Sequence, residues 1–299
     1  MSMTMLQIIQ AAVGEMGSGA IPQAVASSSN QDTIQQFYLL NGLGQALQRE
    51  FIWQALNKQY IVTVSTTTLT GSTVINSTAL TLSSTATIDN TYGVSGPGIN
   101  QACYISAIVD GTTATLSQPA TSTTSGTYTF TKVKYAMPSD YDRQIDRTHW
   151  DKTKHWEMLG PETAQQWEWL ISGYISTGPR IRYRIFGDFF QIWPFVASAE
   201  TIGFEYISNG WAESAGGTAQ TSLVLDTDTC VFPDRLMVEG LKHKYFQVKG
   251  FGDVFRADYE KQLSIAFGND QGSQTLSFMP NVSGILITSA NLPDSGYGS

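Results

Sequence analysis

The sequence predicts an α+β protein, because helical and strand patterns occupy different stretches of the chain. Apolar stripes, or the residues that usually start and stop helices, mark 5–16, 33–57, 233–249 and 253–267. Residues 178–194 alternate instead with the two-residue period of a half-buried strand. We expect a helical-bundle core with a β-hairpin or small sheet, an inserted all-β domain and an extended C-terminal arm.

The first two predicted helices precede residue 60. The helix "MLQIIQAAVGEM" is expected to end at Gly17 and Gly19, and Asp32 is expected to cap the second helix. The apolar stripe of the second helix contains Ile34, Phe37, Leu40, Leu43, Leu47 and Phe51. Gly42 and Gly44 interrupt it, each at a cost of about 1 kcal/mol relative to alanine. They indicate either tolerated weakness or close helix packing in an oligomer.

The composition changes abruptly at residues 65–131. Only Asp89 and Asp110 are charged there, and serine, threonine, glycine and β-branched residues dominate. Such residues favour strands and turns. We predict that this segment is a small all-β domain, inserted into a domain formed by residues 1–64 and 132–268.

Three further helices are predicted after the insert. "GPETAQQWEWLISG" should be helical, with Pro161 in its first turn and Gly173 just past its end. Two more helices are expected to stop at Gly250 and Gly268. Because the joint between them is short, we expect them to be antiparallel.

The C-terminal segment, residues 269–299, has no helical period but is not typical of a disordered tail. It carries apolar residues, which disordered tails normally lack: Leu276, Phe278, Met279, Ile285, Leu286 and Ile287. One interpretation is an arm that becomes ordered on another subunit, for example by adding a strand to an exposed sheet edge. The other is that the segment packs back on its own domain.

The stretch "GPRIRYRIFGDFFQIWP" predicts a β-hairpin with a turn at Gly187 and Asp188. Arg180, Arg182 and Arg184, here called the arginine row, alternate with apolar residues and should share one face. The chain as a whole carries a formal net charge of -8. A row of positive charge in an acidic chain calls for a partner.

The bulk composition indicates an oligomer and argues against several functions. Charged residues make up 14% of the chain, against about 25% in average globular proteins, so we expect partners to cover much of the surface. The acidic balance is unlike that of a dedicated nucleic-acid binder. Cys103 and Cys230 have no paired spacing, which favours a reducing compartment. Neither a signal peptide nor a membrane-spanning run is recognised, so no membrane partner is expected.

No motif indicates catalysis, a metal or a cofactor. His149 and His155 are six residues apart, which does not place them on one helix face. Asp226 and Asp228 resemble the start of a calcium loop, but the glycine and glutamate that such a loop requires are missing. We expect these aspartates to cap the following helix instead. No nucleophile elbow is present, and the expectation is a protein that is not an enzyme and has no cofactor.

The chain resembles the head-to-tail adaptor proteins of short-tailed bacteriophages, also called tail accessory or head-completion connector proteins. The resemblance lies in the order of six phrases: "FIWQALNKQYIVTV", "YAMPSDYDRQIDRTHWDKT", "LGPETAQQWEWL", "RYRIFGDFFQIWP", "IGFEYISNGW" and "DTDTCVFPDRLMVEGLKHKYFQVKGFGDVFRADYEKQL". It covers roughly residues 1–64 and 132–268. None of the phrases is a catalytic fingerprint, and their joint order carries the resemblance.

The resemblance implies a structural protein at the head–tail junction of the virion, assembled in the host cytoplasm. Such adaptors form a homo-oligomeric ring, usually of twelve copies, that docks under the portal protein. The ring extends the channel through which double-stranded DNA passes without sequence-specific binding. It also provides a surface for a tail nozzle, tube or fibre protein. The C-terminal segment, residues 269–299, would be the arm that reaches along the portal.

The insert departs from the simplest adaptor pattern. It resembles the small Ser/Thr-rich β-domains common in phage tail proteins, and we expect it to project outward and hold a fibre or outer tail protein. The alternative function is a receptor- or glycan-binding tail protein that works through the insert. The insert has only four aromatic residues and no tryptophan, which is a poor supply for stacking on sugars: Tyr92, Tyr104, Tyr128 and Phe130.

Three interpretations of the arginine row remain open. It could pair with acids of the neighbouring ring subunit, it could face the DNA channel, or it could be a solvated strand face. For the first, arginine offers a bidentate fork to carboxylates. The candidate carboxylates lie in the predicted loop before the third helix and are Asp140, Asp142 and Asp146.

Overall fold

The computed structural model describes residues 2–17, 19–172, 180–196 and 199–271. Within them the chain is an α+β protein that combines five α-helices with several antiparallel sheets, so the predicted class is confirmed at this level. The helices are α1 (Met5–Met16), α2 (Gln31–Glu50), α3 (Ala164–Ile171), α4 (Asp234–Val248) and α5 (Arg256–Gln271). In this part of the chain no helix has the length and apolar character needed to cross a membrane.

The strands fall into four sheets. In chain order they are β1 (Asn57–Thr63), β2 (Thr66–Thr73), β3 (Ala79–Leu82), β4 (Tyr92–Ser95), β5 (Ile105–Ile108), β6 (Thr113–Leu116), β7 (Thr124–Lys132), β8 (Lys134–Ala136), β9 (Tyr141–Gln144), β10 (Trp150–Asp151), β11 (Trp156–Glu157), β12 (Arg182–Phe186), β13 (Phe189–Trp193), β14 (Thr201–Ser208), β15 (Ala212–Glu213), β16 (Ala219–Gln220) and β17 (Thr229–Cys230). The sheet orders are β1-β14-β10-β11 with β9 also on β14, β12-β13-β8, β16-β15-β17, and β4-β7-β2-β3-β6-β5.

Helix α1 has the ends that its sequence predicts. Thr4 and Gln7 form a reciprocal capping box at the N-terminus, which satisfies two backbone donors that a helix leaves free. Gly17 closes the C-terminus in the left-handed conformation, with φ of 63°. This is the conformation that glycine adopts without a steric penalty.

Helix α2 differs from its prediction at both ends. Asn30, and not Asp32, caps it by accepting from two backbone N–H groups. The helix was expected to reach Asn57 but ends at Glu50. The indole of Trp53 donates to the carbonyl oxygen of Leu47 at 2.7 Å, so a side chain satisfies an orphan carbonyl of the last turn and the chain leaves in an extended conformation.

The predicted ends of α3 and α5 also need correction. Helix α3 begins after Thr163, which caps it together with Gln166, so Pro161 lies before the helix and not in its first turn. Gly173 lies outside the described residues. Helix α5 does not stop at Gly268 but continues to the end of the described chain, because Gly268 is not in a left-handed conformation that would end a helix.

Helix α4 contacts α1, α2 and α5. The α4–α5 pair is antiparallel, as predicted, because Phe246 contacts Phe255 and the earlier His243 contacts the later Tyr259. The largest apolar core cluster is built on these helices.

Gly44 resolves the question raised by the glycines of α2. A Cβ on Gly44 would lie 2.3 Å from the buried ring of Trp211, whereas a Cβ on Gly42 would meet nothing within 4 Å. Close packing therefore explains Gly44, but the packing partner belongs to the same chain. Neither glycine is evidence for a helix contact between subunits.

Strands β2 to β7, all from residues 66–132, form a closed barrel. The order β4-β7-β2-β3-β6-β5 leaves β4 and β5 at the two edges, and these meet through a bridge between Gly93 and Tyr104. Its interior has its own apolar cluster, which includes Leu80, Ile105, Tyr128 and Phe130.

The barrel contacts the rest of the chain through strands β4 and β7. The ring of Phe195 packs so closely on Gly93 that a Cβ there would lie 2.4 Å from it. The hydroxyl of Thr131 donates to the carbonyl oxygen of Val196 at 3.0 Å. These contacts place the barrel beside α3 and the sheet β12-β13-β8.

Candidate interaction surface on the arginine hairpin

The predicted hairpin is present as strands β12 and β13. Gly187 lies in the turn with φ of 57°, a conformation that favours glycine. Strand β8 adds a third strand on the other side of β13. The result is a three-stranded sheet with two distinct faces.

The inner face of this sheet packs on the five-stranded sheet. Tyr135, Tyr183, Phe190 and Ile192 point into one apolar cluster shared with residues of β14. Because alternate residues of a strand point to opposite faces, the remaining residues form the outer face. Burial of the inner face fixes the register, and so fixes which residues face outward.

The outer face carries a polar row across all three strands. Arg184 of β12 lies opposite Gln191 of β13, and Gln191 lies opposite Lys134 of β8. Phe186 and Phe189 lie opposite each other beside this row and are exposed. We call this surface the outer hairpin face and define it by these five residues.

The arginine row is not a row of three equivalent charges. Arg182 donates to Glu162 at 2.6 Å and is already paired. The guanidinium of Arg184 lies over the ring of Phe186, 4.9 Å from its centroid. Arg180 precedes β12 in an exposed bend, so the prediction that all three lie in the strand is wrong.

The three candidate aspartates also differ from one another. Asp140 accepts hydrogen bonds from Lys58, Tyr206 and Ser208 at 2.6, 2.8 and 2.8 Å. Burial alone would raise the pKa of Asp140, but these hydrogen bonds hold it below its usual value. The carboxylate is therefore committed to contacts within its own chain.

Asp142 and Asp146 are less constrained. Asp142 lies in β9, which pairs with β14, so the predicted loop is wrong at this position. Its carboxylate contacts the neighbouring Arg143 at 2.8 Å. Asp146 is exposed in a turn and accepts from the amide of Gln144.

A pocket of about 180 Å³ lies where the outer hairpin face meets α3 and the barrel. Trp167 and Glu168 of α3 line one side, and Tyr104 of the barrel lines another. Trp193 of β13 extends the wall, in contact with Trp167 in a small apolar cluster. The pocket is thus built from parts of the chain that lie far apart in sequence.

Two groups in this pocket lack the partners that buried polar groups usually have. The indole nitrogen of Trp193 is buried without an acceptor among the described residues. The ammonium of Lys134 lies 4.9 Å from the ring centroid of Tyr104, and burial lowers the pKa of Lys134. No carboxylate of the described residues lies within 4 Å of Lys134 or Arg184.

The histidines and acids considered for metal binding have other surroundings. His149 is buried and stacks on Tyr183, with ring centroids 4.0 Å apart. Asp226 accepts from the backbone of the 25–26 segment, and Asp228 accepts from the backbone of its own loop. Their expected role as caps of α4 is therefore wrong, since α4 has no side-chain cap. Among the described residues, no cluster of three or more potential ligands could hold a metal ion.

The predicted arm residues cannot be placed on this surface. Leu276, Phe278, Met279, Ile285, Leu286 and Ile287 all lie outside the described residues.

Sequence reasoning missed two of the three polar residues of the outer hairpin face. Lys134 and Gln191 were not singled out, although "KVKYA" alternates cations with apolar residues in the same way as the arginine row. That alternation could have indicated a further strand with a basic face. What it could not reveal is the register that aligns Lys134, Gln191 and Arg184.

Comparison with known proteins adds no assignment. No protein-family model matches the chain, and no curated protein matches its sequence significantly.

Proposed function

We propose that the chain is a structural head-to-tail adaptor of a bacteriophage virion, not an enzyme. In this proposal it forms a ring under the portal protein, of twelve copies as is usual for such adaptors. The ring extends the DNA channel and offers an attachment surface to tail components. The order of the six sequence phrases supports the family. The outer hairpin face supports an interaction between subunits.

The observation that carries the proposal is the local charge of the outer hairpin face. Lys134 and Arg184 lie on either side of Gln191, on the same face as the exposed rings of Phe186 and Phe189, on a chain whose net charge is -8. Interfaces are enriched in arginine and aromatic residues. A second copy of an acidic chain is complementary to such a face, and ring contacts join two different patches.

The contacts within one chain reduce the number of residues that can form ion pairs between subunits. Arg182 and Asp140 are satisfied internally, so we propose that they stabilise the subunit and do not bridge subunits. Arg180, Arg184 and Asp146 remain as the candidates for contacts across the ring. Asp142 is an intermediate case, because its pairing with Arg143 is partly exposed.

The remaining parts take the following roles in the proposal. The helices form a helical-bundle core that builds the ring wall, and residues 269–299 are the extended arm that docks on the portal. The first three residues of that segment continue α5, so the arm would leave from the end of a helix. The barrel holds a fibre or other tail protein, and DNA passes through the channel without specific contacts.

The first experiment is native mass spectrometry of the purified chain, alone and mixed with its cognate portal protein. We expect a ring on the portal with the full chain, and failure to dock after truncation behind Gln271, where the described helix ends. A chain with the barrel replaced by a short turn is the matched control and should still dock. A chain whose mass ignores the portal would contradict the adaptor function.

The alternative, glycan binding by the insert alone, is less well supplied than the sequence indicated. Tyr128 and Phe130, two of the four aromatic residues of the insert, are fully buried inside the barrel. Only Tyr92 and Tyr104 remain partly accessible. An isolated insert would therefore offer few rings to a sugar.

A further inference from the structure

We infer that the pocket between the outer hairpin face, α3 and the barrel is a binding site for an acidic monosaccharide unit, a six-membered sugar ring that carries a carboxylate. The inference does not rest on the ring proposal, since one subunit contains all of the pocket's walls. It concerns the free subunit, because a neighbour seated on the outer hairpin face would cover the same cations. It rests on four features of the pocket: its cations, an unpaired buried donor, its aromatic walls and one acid.

The cations select an anion. Lys134 of β8 and Arg184 of β12 lie on the two strands that border β13, one on each side of Gln191. Both residues line the pocket. Both are donors only, and neither is paired with a carboxylate among the described residues. An arginine fork can bind both oxygens of a carboxylate. A carboxylate placed above Gln191 would meet a cation on each side.

The unpaired indole N–H of Trp193 would be satisfied by an oxygen acceptor of a ligand. The indole nitrogen of Trp193 is buried and has no acceptor among the described residues. An unsatisfied buried donor is costly, and among the buried polar side-chain atoms that have no partner in the described residues this is the one that belongs to a lining residue of the pocket. Trp193 lines the pocket, so a ligand rich in oxygen atoms could satisfy this donor.

The walls of the pocket fit a ring. Tyr104 comes from the barrel, Trp167 from α3, and Phe186 from the hairpin. Ligand sites are typically apolar and aromatic with a few fixed polar groups. The C–H groups on the faces of a sugar ring pack on such aromatic surfaces, and the volume of about 180 Å³ leaves room for one monosaccharide unit.

Glu168 distinguishes a sugar from a simple carboxylic acid. Glu168 is solvent-exposed and lines the same pocket as the two cations. An aliphatic or aromatic acid brings no hydroxyl donors and would leave Glu168 facing an anion. A hydroxylated ring brings both the acceptors that Lys134 and Arg184 require and donors for Glu168 and Gln191.

The composite nature of the pocket explains why the insert alone is a poor candidate. The insert provides Tyr104, while Trp167, Trp193 and both cations come from outside residues 65–131. Binding should therefore require the full chain.

The test is titration of the full chain with glucuronate, followed by ligand-observed NMR and calorimetry. We expect glucuronate to bind and glucose, the same ring without the carboxylate, to bind at least about tenfold more weakly, because a charge-assisted hydrogen bond contributes that much. Benzoate tests a carboxylate on a ring without hydroxyls and should also bind more weakly.

The variant Arg184→Gln should weaken glucuronate binding about tenfold and leave glucose binding unchanged. Lys261→Gln, which removes an exposed cation of α5, is the matched control and should bind like the parent. Thermal melting shows whether each variant is folded. Equal binding of glucose and glucuronate, tighter binding of benzoate, or no binding of glucuronate at all by the folded full chain would overturn the inference.

Discussion

Arg182 donates a hydrogen bond of 2.6 Å to Glu162. This pairing distinguishes Arg182 from Arg180 and Arg184, the other two arginines of the row. The side chain of Glu162 is only 7% exposed, so its charge is largely withdrawn from water. The backbone N–H of Glu162 also donates to the carbonyl oxygen of Tyr183. The pair therefore ties the segment before α3 to the edge of β12.

Replacing Arg182 should destabilise the subunit. We expect Arg182→Gln to lower the free energy of unfolding by about 1–2 kcal/mol, less than for a fully buried pair because Arg182 is partly exposed. Urea denaturation measures the change. The double variant Arg182→Gln with Glu162→Gln should recover part of the loss, since no buried charge is then left alone. A single variant as stable as the parent would show that the pair contributes nothing.

Replacing the other two arginines should affect assembly without affecting folding. We expect the double variant Arg180→Gln with Arg184→Gln to keep its free energy of unfolding within about 0.5 kcal/mol and to form rings on the portal less readily. Native mass spectrometry measures assembly. Arg256→Gln with Lys261→Gln removes two exposed charges from α5 and serves as the control. Normal ring formation by the arginine variant would remove the outer hairpin face from the interface.

Substitutions of Asp140 and Asp146 should again affect folding and assembly separately. Asp140→Asn should lower the free energy of unfolding by about 1–3 kcal/mol, because the hydrogen bonds from Lys58, Tyr206 and Ser208 lose their charged acceptor. Asp146→Asn should leave stability nearly unchanged and weaken assembly. Chemical denaturation and native mass spectrometry are compared for both variants. The opposite pattern would assign Asp140 to the interface.

Acid should remove the contribution of Asp140. Its folded-state pKa lies below the usual value of 3.8, so the stabilisation is fully present above pH 3.8 and is lost as the pH falls through the lower folded-state pKa. Asp140→Asn should therefore lose its stability deficit relative to the parent in strong acid. A deficit that does not change with pH would show that the charge is not what stabilises.

The two glycines of α2 provide a matched pair for packing. Gly44→Ala should lower the free energy of unfolding by about 1–3 kcal/mol, because the new Cβ would overlap the buried ring of Trp211. Gly42→Ala meets nothing within 4 Å and should raise it by about 0.5–1 kcal/mol through helix propensity. Thermal and chemical denaturation measure both. Equal effects at the two positions would contradict the close contact with Trp211.

His149 should make stability depend on pH. Burial between aromatic rings lowers the pKa of His149 from 6.5 to about 4, and Asp146 opposes this shift. The unfolded chain then binds the extra proton between pH 6.5 and about 4, so stability is complete above this window and falls as the pH falls through it, by about 3 kcal/mol at most.

His149→Phe should flatten this pH dependence, because phenylalanine can occupy the same stack without a titrating group. The free energy of unfolding is measured across the window for both proteins. His155→Gln, at an exposed histidine, should retain the dependence of the parent. An unchanged slope in His149→Phe would assign the pH dependence to other groups.

Local patterns predicted local structure well. The span of α1 with its glycine stop, the extent of α4 and the alternation in the arginine hairpin all act over a few residues, and the structure places these elements close to where they were expected. Some errors are missed local signals, such as the caps Asn30 and Thr163, and others arise where a side-chain contact overrides local preference. The end of α2 depends on an indole hydrogen bond from Trp53, which no period in the sequence reveals.

The candidate surface was only partly predictable for the same reason. The alternation of the arginines requires no partner, whereas the position of Lys134 beside Gln191 depends on pairing between strands more than fifty residues apart. The internal partners of Arg182 and Asp140 are likewise distant in sequence. A sequence shows which charges exist, but only packing decides which of them are already neutralised.

The closed barrel has a consequence for the solubility of its strands. Its strands are rich in serine and threonine and nearly free of charge, and open edges of such strands would pair readily with other chains. The bridge between Gly93 and Tyr104 joins β4 to the residue just before β5, so the two edges of the sheet shield each other at the point where they meet. Closure at this point thus hinders edge-to-edge aggregation where electrostatic repulsion between so few charges cannot.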